Sequence, residues 1–193
     1  MTKSASISTD LLDRAIQFAL EAHQNTPRKG SLTPYILHPL EAAAITATMT
    51  DDLEVISAAV LHDTVEDNKA VSLAQIEELF GARVKNLVAA ETEIKEEDES
   101  GSWFRRKEAT IRHLREKATE EEKMVTLGDK LSNIRAMYKD HAAMGDALWS
   151  RFNQTDKFLQ AWYYKSIGDA LASLEGYPAY REYRDLVNRV FSL

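Results

Sequence analysis

Apolar residues recur along this chain at steps of three and four, the period of helices that turn one face to a core. Leu12, Ala15, Ile16, Ala19 and Ala22 form the first such stripe. Ser8 or Thr9 can cap its start, and Asp10 then lies in the first turn, where the helix dipole favours an acid. Thr26 to Pro34 contains Pro27, Gly30 and Pro34, which predicts a loop. A second helix is predicted from His38, with Pro39 at the first position, where its missing N–H costs nothing, and Glu41 in the first turn. Ile56 to Val65 is nearly all apolar before an acidic end and predicts a buried helix. After a connector at Asn68 to Ala70, Ser72 can cap a helix carrying Leu73, Ile76 and Leu79. Gly81 breaks it, and Val84, Leu87 and Val88 continue on the next. Trp103 to Lys117 reads as a basic helix, and Thr119 can cap a long one carrying Met124, Leu127, Leu131, Ile134 and Met137. Helices around Lys157–Leu174 and Tyr180–Phe191 follow, parted at Gly176-Tyr177-Pro178. No strand alternation and no internal repeat interrupt the pattern. The expectation is one all-α domain over residues 1–193, a bundle of about eight to ten helices.

Composition narrows the chemistry. Hydrophobic residues at 44% and charged residues at 28% fit a globular chain. Acids outnumber Lys and Arg by 31 to 24, a formal charge of −7, which disfavours general nucleic-acid binding while leaving room for a local basic cluster. Without cysteine, any metal must be held by His and carboxylates. The N-terminus lacks a signal-peptide pattern, and no apolar run approaches the roughly 20 residues of a membrane span. A cytoplasmic protein that binds neither membrane nor nucleic acid is expected. Lys95 to Ser102, the one strongly biased stretch, reads as a solvated loop within the domain.

Histidines and carboxylates gather in four short segments: His38, His62-Asp63, Glu66-Asp67 and Asp129. On one helix, His62 and Glu66 share a face at i,i+4, as do Asp63 and Asp67, so four polar groups would point into one pocket. Burying them together is costly unless a cation compensates, and a His/His/Asp/Asp set suits manganese, iron or zinc better than calcium. Asp129 and Asn133 are again i,i+4, offering a ligand and a substrate hydrogen bond from one face. Any one of these residues alone would ordinarily be a satisfied core or surface group. Spacing by itself therefore leads no further than a candidate metal site.

The segments in order carry a more specific pattern: Arg28-Lys29-Gly30, Thr33-Pro34-Tyr35-Ile36-Leu37-His38-Pro39, Leu61-His62-Asp63-Thr64-Val65-Glu66-Asp67 and Leu127-Gly128-Asp129-Lys130-Leu131-Ser132-Asn133. This resembles the HD superfamily of metal phosphohydrolases, and within it the hydrolase domain of RelA/SpoT proteins, with the stand-alone small alarmone hydrolases closest in length. The resemblance covers roughly the first 140 residues. It departs at Gly128, where related sequences usually have Ala, and is loose over Lys95–Ser102 and the C-terminal 50 or so residues. No synthetase domain follows, so alarmone synthesis is not expected. The resemblance implies an HD-domain helical bundle around one Mn²⁺ held by His38, His62, Asp63 and Asp129. It implies that Glu66 and Asp67 position and activate water, and that Asn133 contacts the nucleotide. The implied reaction removes the 3′-diphosphate of (p)ppGpp or (p)ppApp, giving pyrophosphate and GDP/GTP or ADP/ATP.

The resemblance places the loop of Arg28 and Lys29 beside the base, where a guanidinium can stack on a purine face, and Arg106, chosen among Arg105, Arg106 and Lys107, is expected to grip phosphate. Trp162-Tyr163-Tyr164 reads as core, the resemblance alone implying an aromatic for the nucleotide pocket from this helix, while His23, His113 and His141 receive no role. Two rival readings stand beside this one. Another HD enzyme, such as a nucleoside-5′-monophosphate phosphatase, should lack the Arg28-Lys29 loop and the Thr33–Pro39 signature. A catalytically silent nucleotide-sensing module should show a damaged Glu66-Asp67 pair or a missing ligand, and neither is damaged.

Overall fold

The computed structural model describes residues 8–92 and 102–192. Helix after helix follows the apolar stripes: α1 (Asp10–Ala22), α2 (Leu37–Thr46), α3 (Leu53–Leu61), α4 (Thr64–Asp67), α5 (Leu73–Phe80), α6 (Ala82–Glu91), α7 (Ser102–Glu116), α8 (Glu120–Met144), α9 (Lys157–Ala170) and α10 (Pro178–Val190). Short 3₁₀ turns at Gly145–Arg151 and Ala172–Leu174 flank α9. No strand occurs among the described residues, in keeping with the all-α expectation, and none of their helices is long and apolar enough to cross a membrane. The acidic stretch expected as a loop falls, apart from Ser102, outside the described residues.

Local chemistry explains most boundaries. Ser72 and Thr119 each close a capping box, with Gln75 and Glu122, satisfying two orphan amides at the starts of α5 and α8. Gly81 separates α5 from α6 at φ 91°, a conformation that side-chain-bearing residues avoid. Thr9 precedes α1, but its hydroxyl bonds the Asp13 carboxylate at 2.9 Å instead of capping an amide. The helix expected from Ile56 to Val65 is broken at His62-Asp63, although no Gly or Pro stands there. Side chains end it: His62 Nδ1 donates to Ala59 O at 2.8 Å and Thr64 Oγ1 to Leu61 O at 2.7 Å, taking carbonyls that a continuing helix would have used.

Two apolar clusters build the interior. One joins Ala15 and Ala19 of α1 to α3, Ile76 and Phe80 of α5, and Val84 and Val88 of α6. The other gathers Leu127, Leu131 and Ile134 of α8 with Tyr164 and Ile167 of α9 and Tyr183 and Val187 of α10. Helix α2 packs against both α3 and α8, so His38, His62-Asp63 and Asp129 meet where the clusters adjoin. The α2–α8 contact is close: a Cβ on Gly128 would stand 2.6 Å from Ala42 O and 2.5 Å from Thr46 Oγ1. A glycine at position 128 is therefore required by this packing, which holds Asp129 against α2.

Candidate metal centre and the cavity above it

The chain brings His38 from the first turn of α2, His62 and Asp63 from the α3–α4 break, and Asp129 from mid-α8 to one point. His38 Nε2 lies 3.1 Å from Asp129 Oδ1 and 3.5 Å from Asp63 Oδ2, while His62 Nε2 lies 3.0 Å from Asp63 Oδ2 and 3.7 Å from Asp129 Oδ1. Ligand atoms of His38, His62 and Asp129 all fall within 4.8 Å of one another, and all three residues are buried. The break in the α3 helix is what turns His62 and Asp63, adjacent in sequence, towards a common centre.

The donor set fits a divalent cation. Because a carbonyl only accepts, the bond to Ala59 O places a proton on His62 Nδ1 and leaves Nε2 as the ligand atom. That Nε2 is fully buried and, despite its nearness to two carboxylates, is aligned for a hydrogen bond with neither. A ring nitrogen aimed between two acids is costly as it stands and is satisfied by a positive ion. The electrostatics say the same. Burial opposes charging the His62 ring, but Asp63 and Asp129 outweigh it and hold its pKa well above the ordinary value of 6.5. Burial also works against both carboxylates, yet His62 and His38 around Asp63, and Lys130 with the two rings around Asp129, hold them well below the usual range.

A cavity of about 330 Å³ opens above this cluster. Arg28, Lys29, Glu66, Asp67 and Asn133 line it with His38, His62, Asp63 and Asp129, so nine of the ten residues singled out in the sequence line one cavity. Arg106 is the exception. Its neighbour Lys107 lines the cavity instead, since one step along α7 turns a side chain by about 100°. Arg28 is held by an Nη2 bond to Asn133 Oδ1 at 2.9 Å, and Asn133 Nδ2 donates to Asp129 Oδ1 at 2.5 Å. Lys29 Nζ donates to Asn153 Oδ1 at 2.7 Å. The loop that presents both cations is closed by paired backbone bonds, Arg28 N to Thr33 O and Tyr35 N to Thr26 O, each 2.8 Å.

Other lining residues had been read only as parts of motifs or helices. Tyr35 donates its hydroxyl to Asp63 Oδ2 at 2.5 Å, and burial followed by the nearby acids raises its pKa, so it stays a donor. It stands in the turn just before α2, three residues ahead of His38. Lys130 donates to Asp129 Oδ2 at 2.5 Å and, with Lys107, lies over the Tyr163 ring. Burial disfavours the Lys130 charge, but Asp129, Tyr163 and Glu91 keep its pKa well above the ordinary value. Tyr163 and Tyr164 belong to the core, and Tyr164 also reaches the cavity wall. Of the unassigned histidines, His113 bonds Glu122, His141 bonds Asp146, and buried His23 packs on Tyr35.

Comparison with known proteins places the arrangement. The HD domain family matches residues 15–152, well over half of the sequence. The chain belongs to the HD domain family. MESH1 of Danio rerio, named as a guanosine-3′,5′-bis(diphosphate) 3′-pyrophosphohydrolase, is 37% identical over 131 residues, 66% of this chain and 69% of that protein. The chloroplastic RSH1 of Arabidopsis thaliana is 29% identical across 95% of this chain, which spans only 22% of that relative's length. Among solved structures, a metazoan ortholog of SpoT described as hydrolysing ppGpp superposes with a TM-score of 0.77 at 25% identity, covering 98% of this chain and 99% of that one. A Listeria monocytogenes protein matches with a TM-score of 0.70 at 34% identity, over 81% of this chain and 99% of its own. The HD-domain protein thus has the helical fold expected from its sequence.

Proposed function

We propose that residues 1–193 form one metal-dependent phosphohydrolase domain that removes the 3′-diphosphate from alarmone nucleotides, (p)ppGpp and, through the same site, (p)ppApp. The observation that carries this reading is the meeting of His38, His62 and Asp129, with Asp63 beside both rings, beneath a cavity whose wall includes Arg28, Lys29, Lys107 and Lys130. Likeness to MESH1 supports the guanosine substrate and the bond cleaved. The same ligand chemistry, two imidazoles with two carboxylates, supports Mn²⁺ as the ion. When bound, the ion supplies Lewis acidity that activates water near neutral pH and offsets phosphate charge.

The chain's own residues do the rest. Glu66 and Asp67, on the cavity wall, take the proton from the attacking water. The water oxygen bonds to the phosphorus next to the ribose, the bond from that phosphorus to the 3′-oxygen breaks, and the 3′-oxygen gains a proton. Pyrophosphate and GDP or GTP leave. Lys107 and Lys130 face the charge on the diphosphate, and Arg28 presents a guanidinium that stacks on a purine face, a surface guanine and adenine share. Product analysis with Mn²⁺ tests the reading, with ppGpp, ppApp and dAMP supplied in parallel. Pyrophosphate from an alarmone, lost on chelation, is the expected result. Phosphate from dAMP alone would make the chain a nucleotidase, and silence on all three would leave a nucleotide-sensing module.

A further inference from the structure

Behind His38, on the side away from the cavity, a line of polar contacts runs to the C-terminal helix. His38 Nδ1 meets Ser132 Oγ at 2.8 Å, and Ser132 Oγ meets Glu41 Oε2 at 2.7 Å. Glu41 Oε1 accepts from Arg135 Nη1 at 3.0 Å, and Arg135 grips Glu182 of α10 through Nε and Nη2, each at 2.7 Å. His38 and Ser132 are buried, whereas Glu41 and Arg135 are 39% and 37% exposed.

Counting protons fixes the direction of the line. A carboxylate only accepts, a guanidinium only donates, and a hydroxyl has one proton to give. Ser132 therefore gives its proton to Glu41 and can only accept from His38. His38 must then carry its proton on Nδ1, which leaves Nε2 as the atom facing Asp63 and Asp129. His62 receives the same orientation from a backbone carbonyl, but for His38 it depends on side chains that substitution can change. The split of Glu41 also argues against a mere surface ion pair, since one oxygen serves Arg135 and the other is committed to the buried serine.

We infer that Glu41 is a positioning residue that sets the tautomer of His38 for metal binding; either oxygen of its carboxylate can accept from Ser132, so Arg135, anchored by Glu182, has an effect only when the two ends of the side chain differ. This rests on the metal reading proposed above. Glu41→Gln changes one atom, yet Arg135 demands the amide oxygen, so the amide NH₂ would face Ser132 and free its hydroxyl proton to compete for His38 Nδ1. Removing the guanidinium as well lets the amide turn and present its oxygen to Ser132.

Mn²⁺ binding, read as free ion by electron paramagnetic resonance, separates the outcomes. Glu41→Gln is expected to bind about 10-fold or more weakly, the scale of losses at groups that orient metal ligands. Arg135→Met should bind like the wild type, and the Glu41→Gln/Arg135→Met pair should recover most of the loss. Wild-type affinity in Glu41→Gln, or a double variant no better than Glu41→Gln, overturns the inference. If the wild type itself fails to bind Mn²⁺, the metal reading is what fails. Ring ¹⁵N–¹H spectra then decide the tautomer alone: a protonated His38 Nδ1 sustains the inference, and an unprotonated one overturns it.

Discussion

At the level of single side chains, a site of this kind divides its residues between holding an ion and moving a proton, and the two roles separate by substitution. Asp63 touches both imidazoles, so Asp63→Ala should abolish Mn²⁺ binding and activity together, checked by calorimetry and pyrophosphate release. Unchanged turnover would remove Asp63 from the ligand set. Glu66 lines the cavity without belonging to the cluster, so Glu66→Ala should keep the ion and lower kcat by about 10² to 10⁴. An active variant would move the proton-transfer role elsewhere. Acidity follows a definite sign. Without an ion, the carboxylates hold the His62 pKa well above 6.5, and binding needs that ring neutral, so metal uptake releases a proton. Affinity should therefore rise with pH up to that elevated pKa, by as much as about tenfold per unit. A flat affinity from pH 6 to 8 would contradict the assignment.

The elements show what sequence could and could not foretell. Capping chemistry at Ser72 and Thr119 and the break at Gly81 were legible because each signal is local. The end of α3 was not, since an apolar run without Gly or Pro reads as continuous until His62 and Thr64 are seen bonding backward onto their own helix. In the site, His38, His62, Asp63 and Asp129 were legible from their order and from resemblance. That Lys107, and not Arg106, lines the cavity is visible only once the rotation of α7 is fixed, and the Glu41–Ser132 contact exists only through α2–α8 packing. That packing gives its own test. In Gly128→Ala the added methyl would meet the Ala42 carbonyl at 2.6 Å. A loss of about 1–3 kcal/mol is expected by denaturant melts, with weakened Mn²⁺ binding as α8 shifts from His38. A variant as stable as the wild type would mean that the helices separate freely.

For the molecule as a whole, the metal cluster lies at the junction of two cores, so neither half holds it alone. The C-terminal helices, which lie beyond the matched family region, also reach the site. Helix α9 supplies Tyr164 to the cavity wall, and α10 supplies Glu182 to the line behind His38. A net charge of −7 then coexists with four cations, Arg28, Lys29, Lys107 and Lys130, on the wall of a cavity that also carries six carboxylates, an arrangement suited to a small ligand held together with a metal ion rather than to a long nucleic acid. The most direct measurement is to strip the protein of metal and titrate Mn²⁺ back while following bound ion and pyrophosphate release from ppGpp together. One ion per chain, with activity recovering in step with occupancy, is the expected result. Full activity in the stripped protein, or one bound ion per chain with no release of pyrophosphate, would contradict it.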